Sequence, residues 1–273
     1  EIVSRDWSSD VCSSDLWNLV NFKPDTVIPT AGKNGQGDDQ IDMAAAARHL
    51  GEAVRFRTVS NQDAEQNDLS QWSSLHDWLR ASYPAMHDGL SRQLVAGRTL
   101  VYQWPGSDSN LEPVILMAHQ DVVPITEGSE KDWKYPPFDG VLAENAVWGR
   151  GTVDAKGSLI ALVEAIDLLA SKGFAPKRTI YIVSGHDEEV GGGGARAAAK
   201  YLKEKGVKAL FALDEGSAVI KKAPVIDRAA AFIGIAEKGY ATLKVTANAE
   251  GGHSSMPPRE TAVVNLARAV TAI

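Results

Sequence analysis

Residues 179–194 read "TIYIVSGHDEEVGGGG" and place a run of polar residues directly after an apolar one. The apolar residues 179–183 are typical of a strand buried in a sheet. Residues 186–189, His-Asp-Glu-Glu, follow this run, and four glycines come after them. Taken alone, the acidic stretch is equally compatible with a solvated loop. The rest of the sequence therefore has to decide between a loop and a functional site.

Strand-like and helix-like segments alternate on both sides of this stretch. Apolar strand patterns occur at 113–121, 178–185 and 208–216, and helical patterns occur at 158–171 and 194–206. This alternation predicts an α/β fold in which helices flank a layered, mostly parallel sheet. In such sheets ligands bind at the edge where the parallel strands end.

Further segments extend this pattern toward the N-terminus. Helical spacing is present at 41–60 and at 70–84, and short strand patterns occur at 99–106, 141–144 and 146–151. We predict that these segments belong to the same domain as the sheet.

The pattern changes near Lys238. Residues 239–250 alternate apolar and polar side chains, as a strand with one buried face does, and 260–273 have helical spacing. One strand and one helix bury too little surface to be stable alone. We therefore predict a linker at 17–42, one domain at 43–237, and the incomplete start of a small α+β domain at 238–273.

The composition is typical of a soluble globular protein and argues against a nucleic-acid partner. The chain has 273 residues, is 44% hydrophobic and carries a net charge of -7, which is typical of a soluble globular protein. Because nucleic-acid-binding proteins usually present a basic face, the negative charge disfavours a nucleic-acid partner. Cys12 is the single cysteine and cannot form an internal disulfide.

Residues 1–16 lack the apolar centre of a signal peptide. The segment "DVCSSDL" (10–16) is what one frame of a common sequencing-library adapter encodes. We hypothesise that residues 1–16 are a non-native artefact and that a signal or membrane anchor has been lost there. The localisation, exported to the periplasm or cytoplasmic, stays open.

Polar residues follow each predicted strand and precede one helix. They are His119, Asp121, Asp154, Glu188, Glu189, Asp214 and Glu215. Each carboxylate taken singly is compatible with a helix cap or a loop charge. Together at one sheet edge they would repel one another, so they require a compensating charge such as a divalent cation. Imidazole and carboxylate ligands suit zinc.

The number of ligands indicates two metal ions. One histidine with three or four carboxylates exceeds what one tetrahedral catalytic zinc needs. In two-metal hydrolases a shared ligand can bridge ions about 3.5–4 Å apart. We predict that Asp154 is the bridge.

Five motifs carry a resemblance to a known family. They are "AHQDVVP" (118–124), "WGRGTVDAKG" (148–157), "GHDEEVGGGGA" (185–195), "LDEG" (213–216) and "EGGHSSMPP" (250–258). Over residues 43–273 the chain resembles the co-catalytic zinc peptidases that include carboxypeptidase S, aminoacylase, glutamate carboxypeptidase and succinyl-diaminopimelate desuccinylase. The carboxypeptidase S branch is the most similar, through "HQDVVP", "WKYPPFDG" and "EKGY".

The resemblance implies the metal ligands. His119 and Asp214 would hold one zinc, Glu189 the other, and Asp154 both. Two zinc ions would bind per complete chain, with cobalt or manganese as substitutes. The family's second zinc takes a further histidine from a later segment, which this chain lacks, so we expect a C-terminally truncated fragment that hydrolyses little by itself.

The resemblance also implies the catalytic residues. Glu188 would be the general base, and Asp121 would orient the His119 imidazole without binding the metal itself. His253 would reach over the site from a lid domain and stabilise the oxyanion, and the alternative is a turn residue before "MPP". His186 has no family role and is predicted to be structural.

The implied reaction is hydrolysis of an amide bond by zinc-activated water. The substrate would be a short peptide, cut at its C-terminus, or an N-acyl amino acid. The lid domain would also form a homodimer. A deacylase of a biosynthetic N-acyl intermediate and a non-catalytic metal-binding fragment stay open as alternatives.

Overall fold

The computed structural model describes residues 41–216, 219–220, 230–231, 233–234, 243–249, 252–253, 255–256 and 258–272. The chain divides into two compact units, Glu1–Glu215 and Gly216–Ile273. The predicted artefact at 1–16, nearly all of the predicted linker and the predicted domain junction at 237–238 lie outside the described residues. The domain boundaries therefore stay a prediction.

Six α-helices occur in the described residues. They are α1 (Met43–Arg55), α2 (Ser70–Ser82), α3 (Pro84–Gly89), α4 (Lys156–Ser171), α5 (Gly193–Glu204) and α6 (Ala262–Ala272). Short 3₁₀ helices span Ala64–Gln66, Glu130–Asp132 and Glu188–Val190. Both helices predicted beside the opening stretch are confirmed, with bounds that differ from α4 and α5 by at most two residues. Among the described helices, none combines the length and apolar character that a membrane crossing demands.

The main sheet contains five strands in the order β1-β2-β6-β3-β7. These strands are β1 (Ser91–Val95), β2 (Thr99–Trp104), β3 (Val114–Met117), β6 (Ile180–Ser184) and β7 (Phe211–Leu213). Strand β3 pairs in parallel with β6 and β7, while β2 is antiparallel to both β1 and β6. Four of the five strands thus run in one direction, which confirms the predicted α/β fold with a mostly parallel sheet.

Four further strands form two small antiparallel pairs. Strands β4 (Val141–Ala143) and β5 (Ala146–Trp148) make one pair, as predicted. Strands β8 (Val219–Ile220) and β9 (Ala230–Ala231) make the other. Of the strand predicted at 239–250, residues 243–249 are described, and they lie outside any helix or strand.

Hydrophobic layers cover both faces of the central strands β2, β3 and β6. Alternate strand residues face opposite ways, so Leu100 and Ile182 pack among helices α1 to α4, whereas Val101 and Val183 pack against α5. Helix α1 begins at an Asp42 cap, whose carboxylate accepts hydrogen bonds from two backbone N–H groups. The result is a three-layer arrangement that leaves the strand ends free to carry polar groups.

A close backbone contact fixes the loop before β4 against α1. Gly140 has φ +57°, and a Cβ there would collide with the carbonyl oxygen of Gly51. We expect Gly140→Ala to lower the free energy of unfolding by about 2–4 kcal/mol, because overpacking adds to the left-handed backbone strain. Gly128→Ala is the matched control, since Gly128 has φ +83° and no atom within 4 Å of an added Cβ. Equal losses in urea denaturation of both variants would contradict the close contact.

Candidate metal centre

Three neighbouring parallel strands bring the acidic motifs to one edge of the sheet. His119 lies two residues after β3, Glu188 four residues after β6, and Glu215 two residues after β7. Asp154 lies two residues before α4. Because parallel strands end at the same edge, residues that are far apart in the sequence meet there.

His119 is the centre of this cluster. Its side chain is only 3% exposed, and its Nε2 lies 2.7 Å from Asp154 Oδ1 and 2.9 Å from Glu215 Oε1. Glu188 Oε2 is farther away, at 3.9 Å from the same nitrogen. One ligand atom from each of His119, Asp154 and Glu215 lies within 4.8 Å of the other two. This spacing lets the three residues bind one ion.

The backbone oxygen of Asp121 sets the orientation of the His119 ring. His119 Nδ1 lies 3.0 Å from Asp121 O and 3.4 Å from Asp121 Oδ1. Both oxygens are acceptors, so Nδ1 carries a hydrogen, and Nε2 is the ring nitrogen that would bind an ion in the cluster. A metal-binding histidine is usually oriented in this way.

The Asp121 carboxylate also holds the turn that carries the two glutamates. Asp121 is fully buried, and its two oxygens accept hydrogen bonds from the backbone N–H groups of Glu188 at 3.1 Å and Glu189 at 3.2 Å. Burial alone would raise the pKa of Asp121, but hydrogen bonds from His119, Ser60 and the Glu188 backbone lower it. Asp121 therefore stays ionised and connects the β3 end to the turn after β6.

The glycines after the glutamates shape this turn. Gly191 has φ +120° and Gly192 has φ +65°, which side chains rarely tolerate. Asp187 Oδ1 accepts a hydrogen bond of 2.7 Å from the Gly194 backbone N–H in the first turn of α5. The chain can thus reverse into α5 while residues 188–189 stay at the sheet edge.

The negative charges of the carboxylates around His119 favour a positive charge at its Nε2. Burial by itself lowers the pKa of His119, but Asp121, Glu215 and Asp154 together raise it to about 10. Without an ion, a second proton on the His119 ring partly balances these negative charges. A divalent cation bound by Nε2 and the carboxylates would balance more of the negative charge, because it carries two positive charges.

The glutamates respond to the same crowding of negative charge. Burial, followed by repulsion from neighbouring carboxylates, raises the pKa of Glu188, Glu189 and Glu215 above the usual value. Clusters with such perturbed pKa values at a sheet edge are typical of functional sites. The donor set of one buried imidazole and several carboxylates fits zinc.

Glu215, rather than Asp214, is the residue that faces His119. Asp214 is exposed, and its Oδ1 accepts a hydrogen bond of 2.9 Å from the Glu215 backbone N–H. Asp214 also lines a cavity of about 30 Å³ together with His119 and Glu188. The predicted role of Asp214 as a ligand stays a prediction, and Glu215 is a site residue to which the sequence motifs assign no role.

Glu189 and His253 are the two other predicted site residues. Glu189 is half-buried, and Asp154 is one of the charges that raise its pKa. His253 belongs to the second unit, is exposed, and has its Nδ1 2.7 Å from Ser255 Oγ. Their roles as ligand of a second ion and as oxyanion donor stay predictions. His186, predicted to be structural, pairs through Nδ1 with Thr99 Oγ1 at 2.7 Å.

A buried lysine was missed by sequence reasoning. Lys156 follows Asp154 by two residues and has no exposed surface. Its Nζ donates hydrogen bonds to the backbone oxygens of Ala53 at 3.0 Å and Phe56 at 2.5 Å, at the end of α1. Burial lowers its pKa to about 7. Lys156 thus connects the turn that carries Asp154 to the end of α1. In the sequence, its position two residues after Asp154 is the only sign of this role.

The sequence of the chain is similar to those of known proteins. Residues 115–272 match the model of "Peptidase family M20/M25/M40". The chain is 39% identical over 231 residues to "Probable carboxypeptidase S-like 2" of Dictyostelium discoideum, covering 82% of this chain and 44% of that protein. It is 38% identical over 224 residues to "N-fatty-acyl-amino acid synthase/hydrolase PM20D1.1" of Danio rerio, covering 80% and 42%.

A solved structure shares the fold. The crystal structure of an M20 family metallo-carboxypeptidase from Sulfolobus solfataricus matches with a TM-score of 0.52 and 19% identity, over 64% of this chain and 38% of that one. The chain spans less than half the length of the two relatives above. The resemblance to the family of carboxypeptidase S is confirmed, and the chain belongs to peptidase family M20/M25/M40.

Proposed function

We propose that the protein is a zinc-dependent hydrolase that cleaves an amide bond in short peptides or N-acyl amino acids. The observation that carries this proposal is the convergence of His119, Asp154 and Glu215 around one point, with the Glu188 carboxylate beside them. The names of its relatives support it, since one is called carboxypeptidase S-like and another an N-fatty-acyl-amino acid synthase/hydrolase. Both names describe chemistry at an amide bond next to an amino acid.

Glu188 is placed to move the proton. Its side chain is 52% exposed and its Oε2 lies 3.9 Å from His119 Nε2, so water and substrate can reach the carboxylate. Zinc, when bound, would supply Lewis acidity to the amide carbonyl and lower the pKa of water to about 7. Glu188 would then take one proton from the attacking water and donate it to the leaving nitrogen. No covalent enzyme intermediate is required.

The metal stoichiometry is part of the proposal. His119, Asp154 and Glu215 would hold one zinc, and Asp154 would extend to a second ion that Glu189 helps to bind. Asp214 is the alternative to Glu215 on the first ion. The chemistry of the donor set supports zinc, with cobalt or manganese as substitutes.

Removal of zinc should abolish hydrolysis, and its return should restore it. The complete gene product would be assayed for amine release from a panel of dipeptides and N-acyl amino acids, before and after chelation. Substrates with a blocked carboxylate serve as the control for recognition of the amino-acid end. Cleavage that persists after verified removal of metal would contradict the proposal, as would a zinc-loaded protein that cleaves none of these amides.

A further inference from the structure

Gln120 lies between His119 and Asp121 and is fully buried. The side chain does not take part in the metal cluster. Instead it reaches helix α2, where its Oε1 lies 2.7 Å from His76 Nε2. Its Nε2 donates two hydrogen bonds of 3.0 Å to the backbone oxygens of Arg98 and Ser184. The amide of Gln120 therefore uses its acceptor and both donor hydrogens.

The backbone of Gln120 is held as firmly as its side chain. Its N–H donates to the Gly185 oxygen at 2.9 Å, and its carbonyl oxygen accepts a hydrogen bond of 2.6 Å from Thr58 Oγ1. Thr58 is also fully buried. Five hydrogen bonds thus fix one residue on four separate segments of the chain. Buried polar networks of this kind are rigid only when each member is satisfied.

These contacts connect the two strands that carry the site. His119 follows β3, while Ser184 is the last residue of β6 and leads into the turn with Glu188. The hydrogen bond from Gln120 to Ser184 therefore ties the two strand ends together behind the cluster. A shift of Gln120 must move both of its neighbours, because His119 and Asp121 are joined to it by single peptide bonds.

We propose that Gln120 is a positioning residue for the metal centre, which fixes the spacing of His119, Asp121 and the Glu188 turn. This inference rests on the zinc hydrolase proposed above. The amide is the group that the site requires, because two backbone oxygens need donors while His76 Nε2 needs an acceptor. Glutamate has the same shape but offers no N–H to the two carbonyl oxygens. Methionine has a similar length but offers neither donor nor strong acceptor.

The test compares zinc affinity with stability in the complete gene product. The variants are Gln120→Glu and Gln120→Met, and the matched control is Tyr83→Phe. Tyr83 is 1% exposed and donates a hydrogen bond of 2.9 Å to Glu164, so its variant also loses a buried hydrogen bond. Zinc affinity is measured by competition with a chromophoric chelator, ligand geometry by the visible spectrum of the cobalt form, and stability by urea denaturation of the metal-free protein.

We expect both Gln120 variants to bind zinc about 10–100-fold more weakly, which is the usual effect of losing a residue that orients a metal ligand. The visible spectrum of the cobalt form should also change. Tyr83→Phe should lose stability without a change in either metal readout. Wild-type zinc affinity and an unchanged cobalt spectrum in a folded Gln120 variant would overturn the proposal. In that case Gln120 would only stabilise the fold.

A second variant covers the case in which the Gln120 variants do not fold. Thr58→Val is isosteric and removes only the hydrogen bond to the Gln120 oxygen, so zinc affinity should fall in the same direction by a smaller factor. Unchanged affinity in Thr58→Val would then count against the proposal. If the wild type binds zinc tightly and the variants bind it weakly, but no amide is cleaved, the hydrolase function fails while the role of Gln120 stands.

Discussion

Glu188→Gln in the complete gene product is expected to lower kcat by about 10²–10⁴-fold, the range that general acid–base catalysis contributes. The amide keeps the shape of the side chain but cannot accept and release the proton. Glu188 Oε2 lies 3.9 Å from His119 Nε2, outside hydrogen-bonding distance of the cluster centre. The zinc content should therefore stay at the wild-type value in metal analysis.

The same chemical change elsewhere provides the control. Glu127→Gln alters an exposed carboxylate in the loop after β3 and should leave kcat unchanged. Glu188→Asp, which keeps the carboxylate but withdraws it by one methylene, should retain more activity than the glutamine variant. If Glu188→Gln kept most of the wild-type kcat at full zinc content, Glu188 would not be the general base.

Asp154→Ala is expected to have the largest effect on metal binding. Its Oδ1 lies 2.7 Å from His119 Nε2, and its removal takes one carboxylate from the only cluster of three ligands that the described residues form. Loss of a residue that only hydrogen-bonds to a metal ligand typically weakens metal binding by about 10–100-fold. Because Asp154 would bind the ion directly, we expect its loss to weaken zinc binding by a larger factor. At least one ion should be lost, and hydrolysis with it.

Because the Asp154 side chain is exposed, the loss of metal binding in Asp154→Ala can be separated from misfolding. The side chain is 66% exposed, so its loss leaves no cavity in the core, and urea denaturation of the metal-free variant beside the metal-free wild type measures any change in the free energy of unfolding. Asp132→Ala, at an exposed aspartate of a 3₁₀ helix, is the control for loss of a negative charge. Retention of both ions by Asp154→Ala in native mass spectrometry would refute the bridging role.

The pattern of the sequence determined most of the sheet and its helices. Apolar runs such as 180–183 are long enough to specify buried strands, and the helical spacing at 158–171 specifies α4. The pattern gave no sign of β1 (Ser91–Val95), since this edge strand is largely exposed and has no regular alternation. Helix α3 (Pro84–Gly89) was also missed, because six residues are too few to show a helical period.

The composition of the site also followed from the sequence. Polar residues directly after apolar parallel strands lie at one edge of the sheet, so the amino-acid pattern alone predicts that His119, Glu188 and the Asp214–Glu215 pair lie together. The resemblance of five motifs to a family then supplied their expected roles. Comparison with relatives confirmed the family.

Only the tertiary structure decided which atoms meet. Asp214 and Glu215 are adjacent, and the turn after β7 places Glu215 Oε1 2.9 Å from His119 while Asp214 accepts a local N–H. Asp121 orients His119 through its backbone oxygen, and its carboxylate accepts hydrogen bonds from the Glu188 turn. Gln120 and Lys156 bond to backbone oxygens of residues distant in the sequence. Side-chain pattern fixes which residues reach an edge, but hydrogen bonds to a distant backbone exist only once that backbone has been folded into place.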